Sequence, residues 1–106
     1  MSAPLRYFVS WEHAASSLFK PGERVKMPPG TMWRDPKQDR DGREAWVVIL
    51  PNGHQWATTD RASGSDDSFG WEVTGEPPQI SVTPSIDDRW PGKEWHGWIR
   101  NGVMEP

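Results

Sequence analysis

The sequence contains no cysteine, and this absence excludes a disulfide framework, a thiolate metal site and a cysteine nucleophile. It also contains no apolar run of about 18 residues, the length that a membrane helix needs. Its first residues, MSAPLRYFVS, lack the continuous apolar stretch of about seven or more residues that a secretory signal has. These absences predict a soluble protein without a membrane partner that is made and used inside a cell.

Basic residues are not in excess either. There are 12 Lys and Arg residues against 15 Asp and Glu residues, which gives a formal net charge of −3. The densest basic set lies between residues 34 and 43 and is interleaved with acidic residues. Because phosphate contacts dominate nucleic-acid affinity, this charge balance makes a nucleic-acid partner unlikely.

Tryptophan is the residue that the chain has in abundance, with 8 among 106 residues. Apolar residues make up only 34% of the chain, so the indoles are expected to supply much of the core. Each buried aromatic side chain covers about 150–250 Å². A chain of this length normally forms one domain, and we predict a single domain over residues 1–106.

Two of the tryptophans open the same pattern, Trp-x5-Asn-Gly, at Trp46 and at Trp95. Asn-Gly between apolar residues is a strong hairpin signal, because both turn residues tolerate positive φ. We therefore predict hairpins at Asn52-Gly53 and Asn101-Gly102. In the first, a two-residue turn pairs Ile49 with Trp56. Since both faces of its first strand are apolar, that strand is predicted to be central in a sheet.

Alternating residues from Leu5 to Trp11 predict a first strand, and the segment near residues 12–20 predicts one short helix. The predicted fold is therefore all-β or β-rich α+β. It has about six short, mainly antiparallel strands in one small domain. We expect residues 1–4 and the polar loops at 34–44 and 61–68 to be mobile.

The second predicted hairpin separates two kinds of residue. A two-residue turn pairs Ile99 with Met104 on a core face and leaves His96, Trp98 and Arg100 on the opposite face. Tryptophan and arginine are favoured anchors at interfaces. We predict that these three residues form a binding surface, with Trp90 in the neighbouring loop. The alternative interpretation is that Trp98 packs under a loop while the two polar side chains are simply solvated.

No catalytic motif is recognisable in the sequence. It lacks Gly-x-Ser-x-Gly, a phosphate-binding loop and paired carboxylates at a diagnostic spacing. Neither His54 nor His96, the two histidines in predicted strands, has ligands at a metal-site spacing. We predict no catalytic residue, no metal ligand and no cofactor. A metal-assisted or acid/base enzyme centred on His96 and His54 is kept as an alternative.

Several segments nevertheless resemble a widespread family of short, uncharacterised bacteriophage and prophage proteins. The similar pieces run from Pro28 to Met104 and include PPGTMW at 28–33, DGR at 41–43, DRAS at 60–63, GEPP at 75–78, PSI at 84–86 and WHGWIRNG at 95–102. The resemblance implies phage origin and a small β fold, and implies no activity. Many of those proteins carry cysteines where this chain has Gly64 and Trp95, so a metal site of theirs is not expected here.

Taken together, these patterns predict a small, non-catalytic bacteriophage accessory protein. It would bind a host or phage protein in the host cytoplasm. This prediction follows from the class of protein and not from a site. A minor virion component is a second alternative, and the sequence leaves the oligomeric state open.

Overall fold

The structure is a computed structural model that describes residues 3–40, 42–60 and 71–106. The described residues form nine strands and one α-helix. The elements follow one another as β1 (Ala3–Pro4), β2 (Arg6–Phe8), α1 (Trp11–Leu18), β3 (Thr31–Arg34), β4 (Trp46–Ile49), β5 (Gln55–Ala57), β6 (Glu72–Thr74), β7 (Ser81–Asp88), β8 (Trp95–Arg100) and β9 (Val103–Glu105). The predicted β-rich fold is confirmed, with more and shorter strands than the six expected.

The helix α1 forms close to where the sequence predicts it. Ser10 is its N-cap, and the Ser10 hydroxyl accepts a hydrogen bond of 3.0 Å from the His13 N–H. A hydroxyl at this position satisfies one of the amides that the first helical turn leaves without a partner. The helix ends where Phe19 becomes extended, and it buries Ala14 while lying against β2 and β3.

Four strands form one sheet in the order β2-β3-β4-β5. The β2 and β3 strands are parallel, with α1 in the connection between them, and the other pairs are antiparallel. The β4 strand is internal, and Val47, Val48 and Ile49 are all buried. The prediction of a central strand that is covered on both faces is confirmed.

The turn of the first hairpin is longer than predicted. The Leu50 N–H donates to the His54 carbonyl over 2.9 Å, and the Gly53 N–H donates to the Leu50 carbonyl over 2.8 Å. These bonds enclose three turn residues, 51–53, and the last of them, Gly53, has φ of 88°. This geometry is a tight turn followed by a residue in the left-handed region, which glycine favours.

The longer turn changes the register of this hairpin. Val48 lies opposite Trp56, and Ile49 lies opposite Gln55. The predicted pairing of Ile49 with Trp56 is therefore wrong. A shift of one residue moves a side chain to the other face of a strand, so Trp56 joins the face of Val48.

The other five strands form a second sheet in the order β1-β9-β8-β7-β6. Its hairpin between β8 and β9 has the predicted two-residue turn, with positive φ at Asn101 (46°) and Gly102 (79°). Ile99 lies opposite Met104, as predicted. The register of β7 against β8 shifts between Val82 and Ile86.

The main core lies between the two sheets and contains buried residues from both. The four-stranded side contributes Met32, Val48, Leu50 and Trp56, and the five-stranded side contributes Ile80, Val82, Ile86, Ile99 and Met104. A smaller cluster of Trp33, Val47, Ile49 and Ala57 covers the other face of the four-stranded sheet. The chain thus buries its apolar residues in two layers, with β4 contributing to both.

The segment predicted as a mobile loop at 34–44 contains a short 3-10 helix, Pro36–Gln38, and a well-formed ion pair. Arg34 donates from both terminal nitrogens to the Asp39 carboxylate, at 2.6 and 2.8 Å. This hydrogen bond, together with a second one from the Ala45 N–H, lowers the pKa of Asp39 below its usual range. The mobility of 1–4 and 34–44 stays a prediction, and 61–68 lies outside the described residues.

Candidate active site

A serine and a histidine meet on the surface of the five-stranded sheet. The Ser85 hydroxyl Oγ on β7 lies 3.1 Å from the His96 ring atom Nε2 on β8. The two residues are 11 positions apart in the sequence, so only strand pairing brings them together. A hydroxyl hydrogen-bonded to an imidazole is the arrangement in which a histidine can take a proton from a serine nucleophile.

Strand register places both groups on the outer face of the sheet. Ile86 lies opposite Gly97, and Asp87 lies opposite His96. Because side chains alternate along a strand and Ile86 is buried in the core, Ser85 and Asp87 share the outer face with His96. His96 is exposed and Ser85 is half-buried, so the pair is open to a substrate.

The His96 imidazole packs against a tryptophan that carries a cation. The rings of His96 and Trp98 are edge-on, with centroids 5.2 Å apart. The Arg100 guanidinium lies 4.9 Å from the Trp98 ring centroid, and Arg100 also reaches Glu105 at 3.9 Å. The structure therefore groups the three residues predicted for a binding surface, and their role in binding stays a prediction.

The fourth predicted binding residue, Trp90, is placed differently. Its ring lies 5.0 Å from the His54 ring and 5.0 Å from the Lys93 ammonium, and 38% of the residue is exposed. Among the described residues, no ring contact or cation contact links Trp90 to His96 or Trp98. Trp90 is closer in sequence to His96, but its ring contacts His54.

A carboxylate lies beside the serine and histidine pair. Asp87 is directly opposite His96 in the register of β7 and β8. Its Oδ2 atom accepts a hydrogen bond of 3.0 Å from Arg89 Nε. The pair therefore has a neighbouring acidic group, which in this conformation is held by Arg89.

The other histidine in a strand region, His54, has a carboxylate partner instead of a hydroxyl. Its Nδ1 atom lies 2.9 Å from Asp88 Oδ2, and the Asn52 amide donates to the same oxygen over 2.7 Å. Asn52 also donates to the Lys93 carbonyl over 2.6 Å. The Asp88 side chain is only 12% exposed, because Asp88 lies opposite Trp95 on the inner face of β7.

A single centre built from His96 and His54 was the predicted enzymatic alternative. The structure gives each histidine its own partner, Ser85 for one and Asp88 for the other. Within residues 3–40, 42–60 and 71–106, no group of three or more potential metal ligands is found. Each histidine therefore belongs to its own cluster of side chains.

Ser85 is the site residue that sequence reasoning missed. Both Pro84-Ser85-Ile86 and the hairpin that carries His96 were recognised as segments shared with other proteins, but they were not connected. The signal that could have joined them is the pairing of β7 with β8. The register of that pairing shifts between Val82 and Ile86, and the size of this shift was not predicted from the sequence.

The fold and the site together define a class, a small two-sheet β domain with a serine and histidine pair of the kind used in acyl transfer. The chain belongs to the BubE family, whose family model matches residues 20–106 and is described as a bacterial ubiquitination-like system serine protease. No curated protein and no solved structure matches the chain.

The family assignment corrects the predicted function. The prediction of a phage accessory protein or a virion component is wrong, since the family is described as part of a bacterial ubiquitination-like system. The description also points to enzyme activity, against the non-catalytic prediction, and to protein partners within a pathway. The error has a physical reason, because a serine and histidine pair formed across two strands leaves no local motif. In the described part of the chain, no helix has the length and apolar character needed to cross a membrane.

Proposed function

We propose that this protein is a serine protease of a bacterial ubiquitination-like system, with Ser85 as nucleophile and His96 as general base. The observation that carries the proposal is the 3.1 Å contact between Ser85 Oγ and His96 Nε2. This separation lies within hydrogen-bond reach, which a base needs to take the hydroxyl proton. The family description supplies the reaction class independently of this geometry.

In the proposed reaction, Ser85 Oγ attacks the carbonyl carbon of the scissile amide while His96 Nε2 takes the hydroxyl proton. The tetrahedral intermediate collapses, and His96 gives that proton to the departing amine. This step leaves an ester between Ser85 and the acyl part of the substrate. Water, deprotonated by the same imidazole, then hydrolyses the ester and restores the hydroxyl.

The residues around His96 have a positioning role in this scheme. The Trp98 ring, with the Arg100 guanidinium over it, bears on one side of the imidazole. Edge-on aromatic contacts contribute about 0.5–1.5 kcal/mol, enough to favour one orientation of the ring. Asp87 lies opposite His96 in the strand register, and we propose it as the carboxylate that orients the imidazole once its bond to Arg89 is released.

The proposed substrate is a protein that carries a modifier of the ubiquitination-like system, or a precursor of that modifier. Either substrate presents a peptide or isopeptide bond, and both bonds are amides that the serine and histidine pair can cleave by the same steps.

The proposal is tested by labelling with a fluorophosphonate, which reacts with activated serine hydroxyls. Intact-protein mass spectrometry should show one adduct, and peptide mapping should place it at Ser85. The Ser85→Ala and His96→Ala variants should lose the adduct, whereas Ser17→Ala, at an exposed helical position, should keep it. Labelling of folded wild-type protein at another serine, or no labelling at all, would contradict the proposal.

A further inference from the structure

The edge of β7 beside Ser85 is not covered by another strand of the described residues. The β7 strand has eight residues, but β6 pairs only with Ser81, Val82 and Thr83. Trp71, immediately before β6, donates its N–H to the Thr58 carbonyl over 3.0 Å. The Trp71 backbone is therefore bonded to the segment after β5 and not to β7. Among the residues that the structure describes, β7 from residue 84 onward is paired with β8 alone.

Backbone groups on this edge point away from β8. The Ser85 carbonyl accepts a hydrogen bond of 3.3 Å from the Trp71 indole Nε1, on the side opposite to β8. In an antiparallel strand, residues two positions apart direct their N–H and C=O groups to the same side. Asp87 therefore presents its N–H and C=O to the same open edge, while Ile86 and Asp88 bond to β8.

A groove of about 210 Å³ runs along this edge. Two indoles, those of Trp56 and Trp71, form part of its wall, together with the His54 imidazole. The Trp56 Nε1 atom is buried and has no hydrogen-bond partner among the described residues. Because the Trp56 donor is enclosed and the Trp71 Nε1 donates to the Ser85 carbonyl, both indoles line the groove as apolar surface.

The charge of the groove is negative. Asp60, Asp87 and Asp88 line it against one guanidinium, that of Arg89, which leaves an excess of two carboxylates when the His54 imidazole is neutral. Opposite charge across an interface favours encounter and register, whereas like charge excludes a partner. An occupant with a basic side chain fits this groove, and an acidic one does not.

From these observations we infer that the edge of β7 at Asp87, next to Ser85, binds the substrate of the proposed protease as an added antiparallel strand with a basic side chain in the groove. An added strand lies about 4.8 Å from β7, so its main chain passes directly beside the Ser85 side chain. Main-chain hydrogen bonds supply affinity in this mode, and the groove supplies specificity. The inference rests on the proposed function and names the substrate as an extended basic segment.

The test uses ¹⁵N-labelled Ser85→Ala protein, so that binding is measured without turnover. The probe is the capped peptide acetyl-Val-Thr-Lys-Thr-Val-amide at millimolar concentration. We expect amide exchange at Asp87 to slow about tenfold at saturation, because its N–H becomes bonded, while Ile86 and Asp88 stay unchanged. Replacing the peptide lysine with glutamate should weaken binding several-fold.

Two controls separate main-chain docking from other binding. A peptide with two consecutive N-methylated residues offers no complete hydrogen-bonding edge and should not bind. In the protein, Asp87→Pro removes both the amide that faces the edge and the carboxylate, a change that an edge position tolerates, whereas Asp87→Asn removes the carboxylate charge and keeps the amide. Binding should be lost in Asp87→Pro and retained in Asp87→Asn.

Equal binding of the N-methylated peptide would overturn the inference, as would shifts confined to another surface or no shifts at millimolar peptide. Because the protein lacks Ser85, these outcomes do not depend on whether that serine is a nucleophile. Failure of fluorophosphonate labelling, by contrast, removes the proposed protease activity while leaving the strand-binding measurement intact. The two failures are therefore distinguishable.

Discussion

Two histidines of this protein each contact a tryptophan that carries a cation, but they differ in the partner of the imidazole nitrogen. His54 contacts Trp90, over which Lys93 lies, and His96 contacts Trp98, over which Arg100 lies. The ring separations are 5.0 and 5.2 Å. The difference lies in the partner of the imidazole nitrogen, which is a carboxylate for His54 and a hydroxyl for His96.

The partner decides what each imidazole can do. The Asp88 carboxylate has little exposure and two donors, His54 and Asn52, so it ties the first hairpin to the end of β7. The Ser85 hydroxyl has a proton to give and an open face, so His96 can take part in bond making. We therefore assign a structural role to His54 and propose a catalytic role for His96.

The largest expected effect comes from removing each imidazole in turn. Since His96 is the proposed base, His96→Ala should lower kcat/KM by about 10³–10⁴-fold. The matched change His54→Ala should alter it less than tenfold at a temperature where the protein is folded. Steady-state hydrolysis of a modifier conjugate measures both values. Equal losses in the two variants would remove the functional distinction between the histidines.

The next effect concerns stability. Asp88→Ala removes the acceptor that His54 and Asn52 share, and because His54 is 40% exposed and Asn52 keeps the Lys93 carbonyl, it should lower the free energy of unfolding by about 1–2 kcal/mol. Asp87→Ala is the control, because Asp87 and Arg89 form an exposed pair and such pairs contribute at most about 1 kcal/mol. Urea titration followed by tryptophan fluorescence gives both values. A smaller loss for Asp88 than for Asp87 would contradict the structural role of the His54 pair.

A smaller effect is expected from the two tryptophans. Trp98→Ala removes the edge-on contact that orients His96, a contact of about 0.5–1.5 kcal/mol, and should lower kcat about two- to tenfold. Trp90→Ala removes the tilted ring contact of His54 and should leave kcat unchanged. The ratio of the two kcat values checks the assignment. A loss of kcat in Trp90→Ala alone would reverse it.

The smallest effect is expected for Asp39, which contacts neither histidine. It tests how stability depends on acidic pH away from both histidines. Its pKa is lowered by the Arg34 hydrogen bond and by the Ala45 N–H, so its stabilising contribution is present above the unfolded pKa of about 3.9. That contribution is lost as pH falls through the lower, folded value. Thermal unfolding of wild type and Asp39→Asn should therefore differ at pH 7 and converge only as the pH falls below about 3.9 and through the folded pKa. Convergence already at pH 6 would show that Asp39 does not act this way.

The sequence predicted local geometry best where a turn left little freedom. Asn101-Gly102 takes positive φ at both residues, so the pairing of Ile99 with Met104 could be derived from the chain alone. At Asn52-Gly53 the preceding residue is Pro51, which has no N–H to close a two-residue turn, so Leu50 closes a three-residue turn instead. The β4 residues are therefore paired one position away from the predicted register. Dipeptide signals predict that a hairpin exists, whereas its register depends on how many residues the turn encloses.

Only part of the candidate site was predicted, because local patterns do not determine how distant strands pair. The exposed face of His96, Trp98 and Arg100 follows from alternation along one strand, which is local information. The contact of His96 with Ser85 joins two strands whose register shifts. Which histidine Trp90 contacts depends on the conformation of its loop. Non-local pairing of this kind is set by the packing of the whole sheet and is not encoded in the spacing of a few residues.

The first strand and the last strand of the described chain lie side by side, since Ala3 and Pro4 of β1 pair with Met104 and Val103 of β9. Two residues later, β2 joins the other sheet beside β3. The segment preceding α1 therefore closes one edge of each layer, although the family match begins at residue 20. A fragment trimmed to the matched span would expose two unprotected strand edges, which are templates for self-association. Truncated variants of this protein should therefore keep β1 and β2 and not begin at residue 20, where the family match begins.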